Sequence, residues 1–349
     1  MKIRLGYVAM TLNLEKCSPS GTVTVANFKK LPDEEARMYR LRKITRENLS
    51  NTLRILRYNK ALNISVYRFT SKLIPLATHP LIEHWDYRED FKEEFSEIGK
   101  FVKENDFRVS AHPDHYTLIN SHSDKVLEES IKDLDYHVKI YEAMGLEDYR
   151  YKLVLHVGGL YKDKKTSIER FKENFVKLPD RIRKRIILEN DDKSYTAADV
   201  LEICKELKIP MVIDIHHHRC VNHGESLLSL LPEVFDTWKG EYFKPKIHFS
   251  SPKSEKDFRS HADFIDIGEF AGFLEIAGAI GRDFDVMLEA KSKDSALLQL
   301  SNELKNVKGI RSINESEFEL ERKEGRKEAY AAREREEGTQ ESTDSSTWL

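Results

Sequence analysis

The sequence predicts an α/β protein, a single-domain (β/α)₈ TIM barrel with a charged C-terminal tail. Three observations carry this prediction. Eight short apolar, β-branched runs recur in the first 290 residues, segments of helical periodicity separate them, and 349 residues at 40% apolar content suit one large core. Strand and helix units repeated in this way fit a closed parallel barrel better than an open doubly wound sheet.

The runs, in order, are residues 3–9 (IRLGYVA), 63–69 (NISVYRF), 107–112 (FRVSAH), 152–157 (KLVLHV), 185–190 (RIILEN), 211–216 (MVIDIH), 245–250 (PKIHFS) and 285–290 (DVMLEA). Between them, Phe91, Phe95, Ile98 and Val102 fall on one helical face, as do Val126, Leu127, Ile131, Leu134 and Val138. Thr166 with Glu169 reads as a capping box, Asp124 as a helix cap and Gly145 as a helix stop. The stretch from about Leu12 to Arg40, with its Ser18-Pro19-Ser20-Gly21, is expected to be a functional loop or lid. The barrel domain is placed at residues 1–305 and a charged extension at 306–349, read from about Ser312 onward as a solvated helix fraying into disorder, with no activity assigned to it.

Composition narrows the function. No run of eighteen apolar residues occurs, so no membrane partner is expected, and the strand-like start MKIRLGYVAM points to the cytoplasm. Cys17, Cys204 and Cys220 are odd in number and widely spaced, which argues against disulfides and thiolate zinc sites. A net charge of −3 provides no global field for nucleic acid, so a local basic patch or bound metals would have to supply one. There is no Walker A loop, G-x-G-x-x-G loop or G-x-S-x-G elbow.

Barrel chemistry sits at the carboxyl ends of the strands. Those ends are Tyr7, Arg68, His112, His156, Glu189, Asp214, His248 and Glu289, so three carboxylates and three histidines share one mouth. Any one of them has a bland explanation as a loop residue or an ion-pair partner. The set does not, because Glu189 and Glu289 each follow a buried apolar run, where a charge is costly unless paired or bound to metal. Imidazole with carboxylate suits Zn²⁺, Mn²⁺ or Fe²⁺ better than Ca²⁺ or Mg²⁺. Asp214 and His217 are three apart, His216, His218 and His223 cannot be separated from His217 by composition, Lys246 and His248 share a strand face, and His261 and Asp263 follow in the next loop. So many donors exceed the four to six or so that one ion takes, and two or three divalent ions are expected. Such a cluster activates water and neutralises the oxygens of an in-line phosphoryl displacement.

The motifs LGYVAM, HPDHYT, LHVGG, LEND, DIHHH, and KIHFSS with HADFID occur in this order over residues 1–300, and together they resemble the ultraviolet damage endonuclease family, more distantly the endonuclease IV branch of the same barrel superfamily. The resemblance implies that His112, His156, Glu189, Asp214, His217, His248, His261 and Glu289 are metal positions, with Glu189 bridging two ions. It also implies a site histidine at His79 and, at Lys246, a lysine that the family can carry carboxylated. Glu189, Glu289, Lys246 and His79 are then the catalytic set, and Mn²⁺ is the expected metal, with Zn²⁺, Co²⁺ or Mg²⁺ as alternatives. Members nick double-stranded DNA on the 5′ side of cyclobutane pyrimidine dimers and 6-4 photoproducts, and a monomer is expected. A crosslinked dipyrimidine pairs poorly, so extruding it costs less than extruding normal bases.

The polar residue and tyrosine with which the family fills the resulting gap fall on His115 and Tyr116, and Tyr7 is expected to line the lesion pocket. A glutamine is common where this chain has His115, and Thr11 or Asn13 stands where some relatives carry asparagine. Two basic clusters, Arg40, Arg42, Lys43 and Arg46, and Lys162, Lys164 and Lys165, are candidates for phosphate contact. The competing readings are an abasic-site endonuclease with the same metals, a sugar or sugar-phosphate isomerase of the same barrel type, and a non-catalytic metal-dependent DNA-binding protein.

Overall fold

The computed structural model describes residues 1–321. Its parallel strands are β1 (Lys2–Val8), β2 (Val66–Arg68), β3 (Arg108–Ser110), β4 (Leu153–Leu155), β5 (Ile186–Glu189), β6 (Met211–Asp214), β7 (Lys246–Phe249) and β8 (Phe284–Leu288). They are hydrogen-bonded in the order β3-β2-β1-β8-β7-β6-β5-β4. A parallel bridge between Ala111 and Leu153, with the Val154 amide donating to the Ala111 carbonyl at 3.0 Å, joins β3 to β4 and closes the ring. Each apolar run in the sequence has become a barrel strand.

Helices pack around the ring. In Lys92–Glu104 the buried residues include Phe95, Ile98 and Val102, the stripe their spacing demanded. Asp124–Ala143 ends where expected, with Gly145 at φ +65° just past the Met144 cap. Two starts differ from expectation. Asp124 is the first helical residue, after Ser123, and Lys164–Lys177 begins ahead of Thr166 because the Asp163 carboxylate accepts from the Thr166 amide. A capping box does form, at Thr196 and Asp199. The long first connection is also shorter than expected: Asp33 caps a helix, Glu34–Ala61, so residues 34–40 are helical and not loop, and Arg42, Lys43 and Arg46 continue the same helix.

The extension expected from residue 306 is corrected where it is described. β9 (Ile310–Ser312) and β10 (Glu317–Leu320) form an antiparallel pair, and β10 runs antiparallel to β1 with Lys2 opposite Glu319. Phe318 and Leu320 are buried while Glu317 and Glu319 are partly exposed, the period of a half-buried strand and not of a solvated helix. The rest of that extension, 322–349, lies outside the described residues. Among the described residues no helix is long and apolar enough to cross a membrane.

The barrel interior has three levels, which follow from the period-two alternation of strand side chains. Along β3 and just past it the inward series is Arg108, Ser110, His112, and along β8 it is Asp285, Met287, Glu289. At the base, the Arg4 guanidinium donates to both oxygens of Asp285 at 2.7 Å and Arg108 to the same carboxylate at 2.6 Å, while Lys152 pairs with Glu241 at 2.8 Å. The middle is mostly apolar: Val154, Ile187, Val212 and Trp238 form one cluster and Val8, Val66 and Met287 another, with the Ser110 hydroxyl and the Lys246 amine as its polar members. Gly6 belongs there because a Cβ on it would stand 2.7 Å from that of Val66. The top level is the mouth.

Candidate metal centre

Seven polar side chains, those of Arg68, His112, His156, Glu189, Asp214, His248 and Glu289, crowd the mouth among the described residues, each set there by its strand's parity. Glu189, at the end of β5, is 1% exposed and lies at the centre. Its Oε2 is 3.1 Å from His112 Nε2 and 3.9 Å from His156 Nε2. Its Oε1 is 2.8 Å from His248 Nδ1, which is in turn 3.1 Å from Glu289 Oε1. Ligand atoms of His112, His156 and Glu189 form one group within 4.8 Å, and those of Glu189, Asp214, His248 and Glu289 form a second. Glu189 is common to both.

Backbone carbonyls orient the rings. Nδ1 of His112 lies 3.0 Å from the Pro113 carbonyl, that of His156 3.3 Å from Glu189 O, that of His217 2.9 Å from Asn190 O and that of His261 2.8 Å from Glu289 O. An imidazole that donates through Nδ1 to a carbonyl keeps Nε2 as a lone-pair donor, the usual arrangement behind a metal ligand. Asn190 also exchanges hydrogen bonds with the backbone of Asp214, its Nδ2 donating to the carbonyl at 3.0 Å and its Oδ1 accepting from the amide at 2.8 Å.

The electrostatics of this level do not close on their own. Burial would raise the Glu189 carboxyl, yet His248 and His156 hold it well below the carboxylate range, and Arg68 and His248 do the same for Glu289 against burial. Burial would lower His217, but Asp214, Glu189 and Glu289 push it up to about 9, and Glu189 with Glu289 likewise raises His248. Three buried carboxylates are thus drawing positive charge onto imidazoles. Two buried atoms of this level, Asp214 Oδ2 and His248 Nε2, have no hydrogen-bond partner among the described residues. Unpartnered buried polar atoms are costly, and divalent cations would supply what the carboxylates lack, so the residues present fit a metal centre.

Lys246 lies one step below His248 on β7, fully buried, with the Ser110 hydroxyl as its hydrogen-bond partner at 3.2 Å. Burial, then Arg108 and Arg68, hold its amine well below the ordinary lysine range.

The other expected site residues are placed as follows. His217 turns toward Glu189 and Asp214, at 3.6 and 3.9 Å, whereas His216 packs on Phe258 and His218 lies 3.1 Å from the Glu225 carbonyl. His217 and His261 are adjacent, with ring centroids 6.0 Å apart, but neither belongs to the two groups above, and Asp263 is exposed. Tyr116 is 55% exposed on the rim, its hydroxyl donating to Asp114 at 3.0 Å, and His115 meets it edge-on at 5.9 Å. Tyr7 does not line the mouth cavity. It shares the parity of Ile3 and Leu5, faces the helix layer fully buried, and donates to Asn59 at 2.6 Å. His79 stands apart, capping the turn Pro80–Ile82 and lining a separate cavity with Trp85, Tyr87 and Tyr136. Thr11 and Asn13 both bind buried Asp294 and act as loop anchors.

Of the basic clusters, Arg42 pairs with Asp90 at 2.7 Å, Arg46 with Glu94 at 3.3 Å and Lys164 with Asp199 at 2.7 Å, while Arg40, Lys43, Lys162 and Lys165 are exposed. Sequence reasoning passed over three residues here. Arg68, seen as a strand end and given no role, binds Glu289 at 2.6 Å. Asn190 sits beside Glu189 in sequence, which was its signal, and Lys293 gave none.

The family model described as UV-endonuclease UvdE matches residues 3–321. A UV DNA damage endonuclease of Bacillus thuringiensis subsp. konkukian (strain 97-27) is 45% identical over 316 residues, covering 90% of this chain and 99% of the relative. One from Bacillus cereus (strain B4264) is 46% identical over 314 residues, 90% of this chain and 98% of its own length. The crystal structure of SacUVDE is similar at 34% identity and a TM-score of 0.77, covering 87% of this chain and 98% of that one.

Proposed function

Since the chain belongs to the UV-endonuclease UvdE family, we propose that it is a DNA-repair endonuclease that cuts the phosphodiester backbone 5′ to cyclobutane pyrimidine dimers and 6-4 photoproducts, initiating excision repair as a monomer. The observation that carries this reading is the mouth itself, where two ligand groups share the buried carboxylate of Glu189 beneath a cavity of about 390 Å³.

We assign His112, His156 and Glu189 to one divalent ion, and Glu189, Asp214, His248 and Glu289 to a second; His217 and His261 would serve a third. Mn²⁺ is our first choice, with Zn²⁺, Co²⁺ and Mg²⁺ as alternatives. Lewis-acid activation of water, and neutralisation of the attacking and leaving oxygens, is the chemistry divalent ions contribute in such a site. The chain's own residues do the rest. Arg68 holds the Glu289 carboxylate in place, the Asn190 side chain fixes the backbone of Asp214, and backbone carbonyls aim the imidazoles. Lys246, whose amine burial holds well below the ordinary lysine range, is suited to carboxylation, which would add a further anionic ligand beneath His248. His79 is retained as a more remote member of the site, reached through the substrate and not through the ligands.

Lesion choice is proposed to lie with Tyr116 and His115. Tyr116 is held on the rim by Asp114, whose other oxygen accepts from Ser71 at 3.2 Å, and stacking of an aromatic in the gap would compensate for the extruded dipyrimidine. The test is incision of a labelled duplex bearing one cyclobutane dimer, alongside undamaged and abasic duplexes, with Mn²⁺ and then with chelator. A chelator-sensitive nick just 5′ to the dimer is expected; cleavage confined to the abasic duplex, or none, would refute the proposal.

A further inference from the structure

The mouth cavity is lined by Arg68, His112, His115, His156, Glu289 and Lys293 among others, and two of these are full cations. Arg68 is committed to Glu289 at 2.6 Å. Lys293 has no hydrogen bond or ion pair to its ammonium among the described residues, although it is half-buried beside Arg68 and Glu289. A cation held partly out of water with no direct partner, its one carboxylate neighbour Glu289 already bound by Arg68, is an unusual expenditure in a folded protein.

Its backbone is unusual as well. Lys293 has φ +50°, a left-handed conformation that a residue with a Cβ adopts only when its surroundings impose it. The surroundings are visible on both sides. The Lys291 and Ser292 amides donate to the carbonyls of Ala262 and Asp263, at 3.0 and 2.9 Å, which ties the turn to the loop carrying His261. The next residue, Asp294, is fully buried and accepts from the Leu12 amide at 2.7 Å, the Asn13 side chain at 2.7 Å and the Tyr58 hydroxyl at 3.2 Å. Two neighbouring loops therefore clamp one turn, and the residue at its apex projects an unpaired ammonium into the cavity above the carboxylates. Such strain clusters where a group must be held ready for a ligand.

Resting on the reading of this mouth as the seat of the phosphodiester, we propose that Lys293 binds a phosphate oxygen of the strand being cut, as the substrate-binding cation of the rim. Burial and the neighbouring Arg68 lower its pKa against the opposing pull of Glu289, and an anion in the cavity would relieve the first two. Arg68 would remain a positioning residue for Glu289. Lys293 would be the direct contact.

The test uses the full chain and three variants, Lys293→Gln, Lys293→Arg and Lys293→Gly, with binding to damaged and undamaged duplex followed across salt concentration and with incision kinetics. Loss of one phosphate contact lowers the slope of log affinity against log salt by about 0.9 and weakens KM or Kd about ten- to a hundredfold. Lys293→Gln is expected to show both changes, and Lys293→Arg to recover most of each. Lys293→Gly, which removes the charge while suiting the positive φ, is expected to match Lys293→Gln in affinity at a Tm no lower than that of the native chain. A Lys293→Gln protein with native slope and KM, or a Lys293→Arg protein no better than it, overturns the proposal. A native chain that leaves the dimer duplex uncut while Lys293→Gln still lowers the slope refutes the endonuclease reading and upholds the phosphate contact.

Discussion

The base and the mouth of this barrel are both buried and both ionic, and they are built on opposite plans. At the base, Arg4 and Arg108 converge on Asp285, Arg108 also donates to the Lys244 carbonyl at 2.6 Å, and Lys152 meets Glu241. There the charged groups are matched within the protein. At the mouth, Glu189, Asp214 and Glu289 face imidazoles and one arginine, and Asp214 Oδ2 and His248 Nε2 are left without partners among the described residues. The difference separates a layer that closes the fold from a layer completed only by something bound. Buried charge by itself does not mark a functional site; a cluster of buried like charges without enough partners in a cavity makes one a candidate.

Four perturbations should break or sharpen this contrast. The largest effect is expected at the mouth: Glu189→Gln or Glu289→Gln should lower the incision rate about 10⁴-fold with the fold retained, read by single-turnover cutting and circular dichroism. Full activity in either variant would contradict the assignment. At the base the response should be inverted. Asp285→Asn leaves Arg4 and Arg108 facing a neutral amide, which should cost about 3–5 kcal/mol of stability in denaturant melts while activity per folded molecule stays near native.

Metal removal should affect only the upper layer. With metal at about 100-fold over its Kd, binding should add about 3 kcal/mol of stability, so chelator should lower Tm in the native chain and in Asp285→Asn alike, but not in Glu189→Gln.

The smallest effect concerns a buried acid, Asp133, whose partners among the described residues are a hydroxyl and, at 4.0 Å, the His137 imidazole. Burial pushes the Asp133 carboxyl up to about 6 even though Thr117 donates to it at 2.6 Å, and burial holds the nearby His137 imidazole down to about 4. Because the folded pKa of Asp133 is raised, its contribution is complete below the unfolded value near 4 and is lost as pH climbs through 6. His137 has the opposite sign, contributing above its unfolded value near 6.5 and losing that as pH falls through 4. In the native chain the two largely offset. Asp133→Asn should expose the histidine alone, so that the variant gains about 2 kcal/mol relative to the native chain between pH 4 and 7, measured by thermal melts.

How much of this was legible in the sequence depends on the range of the interaction. The strands could be read from β-branched runs, and Glu189, Asp214, His248 and Glu289 from their positions at strand ends, because both signals are local. Tyr7 shows where that reading fails: it was taken as a strand end, but its parity with Ile3 and Leu5 sends it outward to Asn59. Arg68 and Glu289 lie 221 residues apart, and the clamp on Asp294 reaches back 282 residues to Leu12, so neither could be read from spacing. The hairpin at 310–320 was missed because charged residues dominate its outer face and hide the alternation of Phe318 and Leu320. His217 was separable from its histidine neighbours only by where each ring turns, a property of the short helix Ile215–Cys220 and not of composition.

The most direct measurement is anomalous diffraction at the manganese edge from crystals grown with Mn²⁺. The account predicts a peak between His112, His156 and Glu189 and another between Glu189, Asp214, His248 and Glu289, both lost in Glu189→Gln. No peak at the mouth, or peaks confined to other residues, would contradict it.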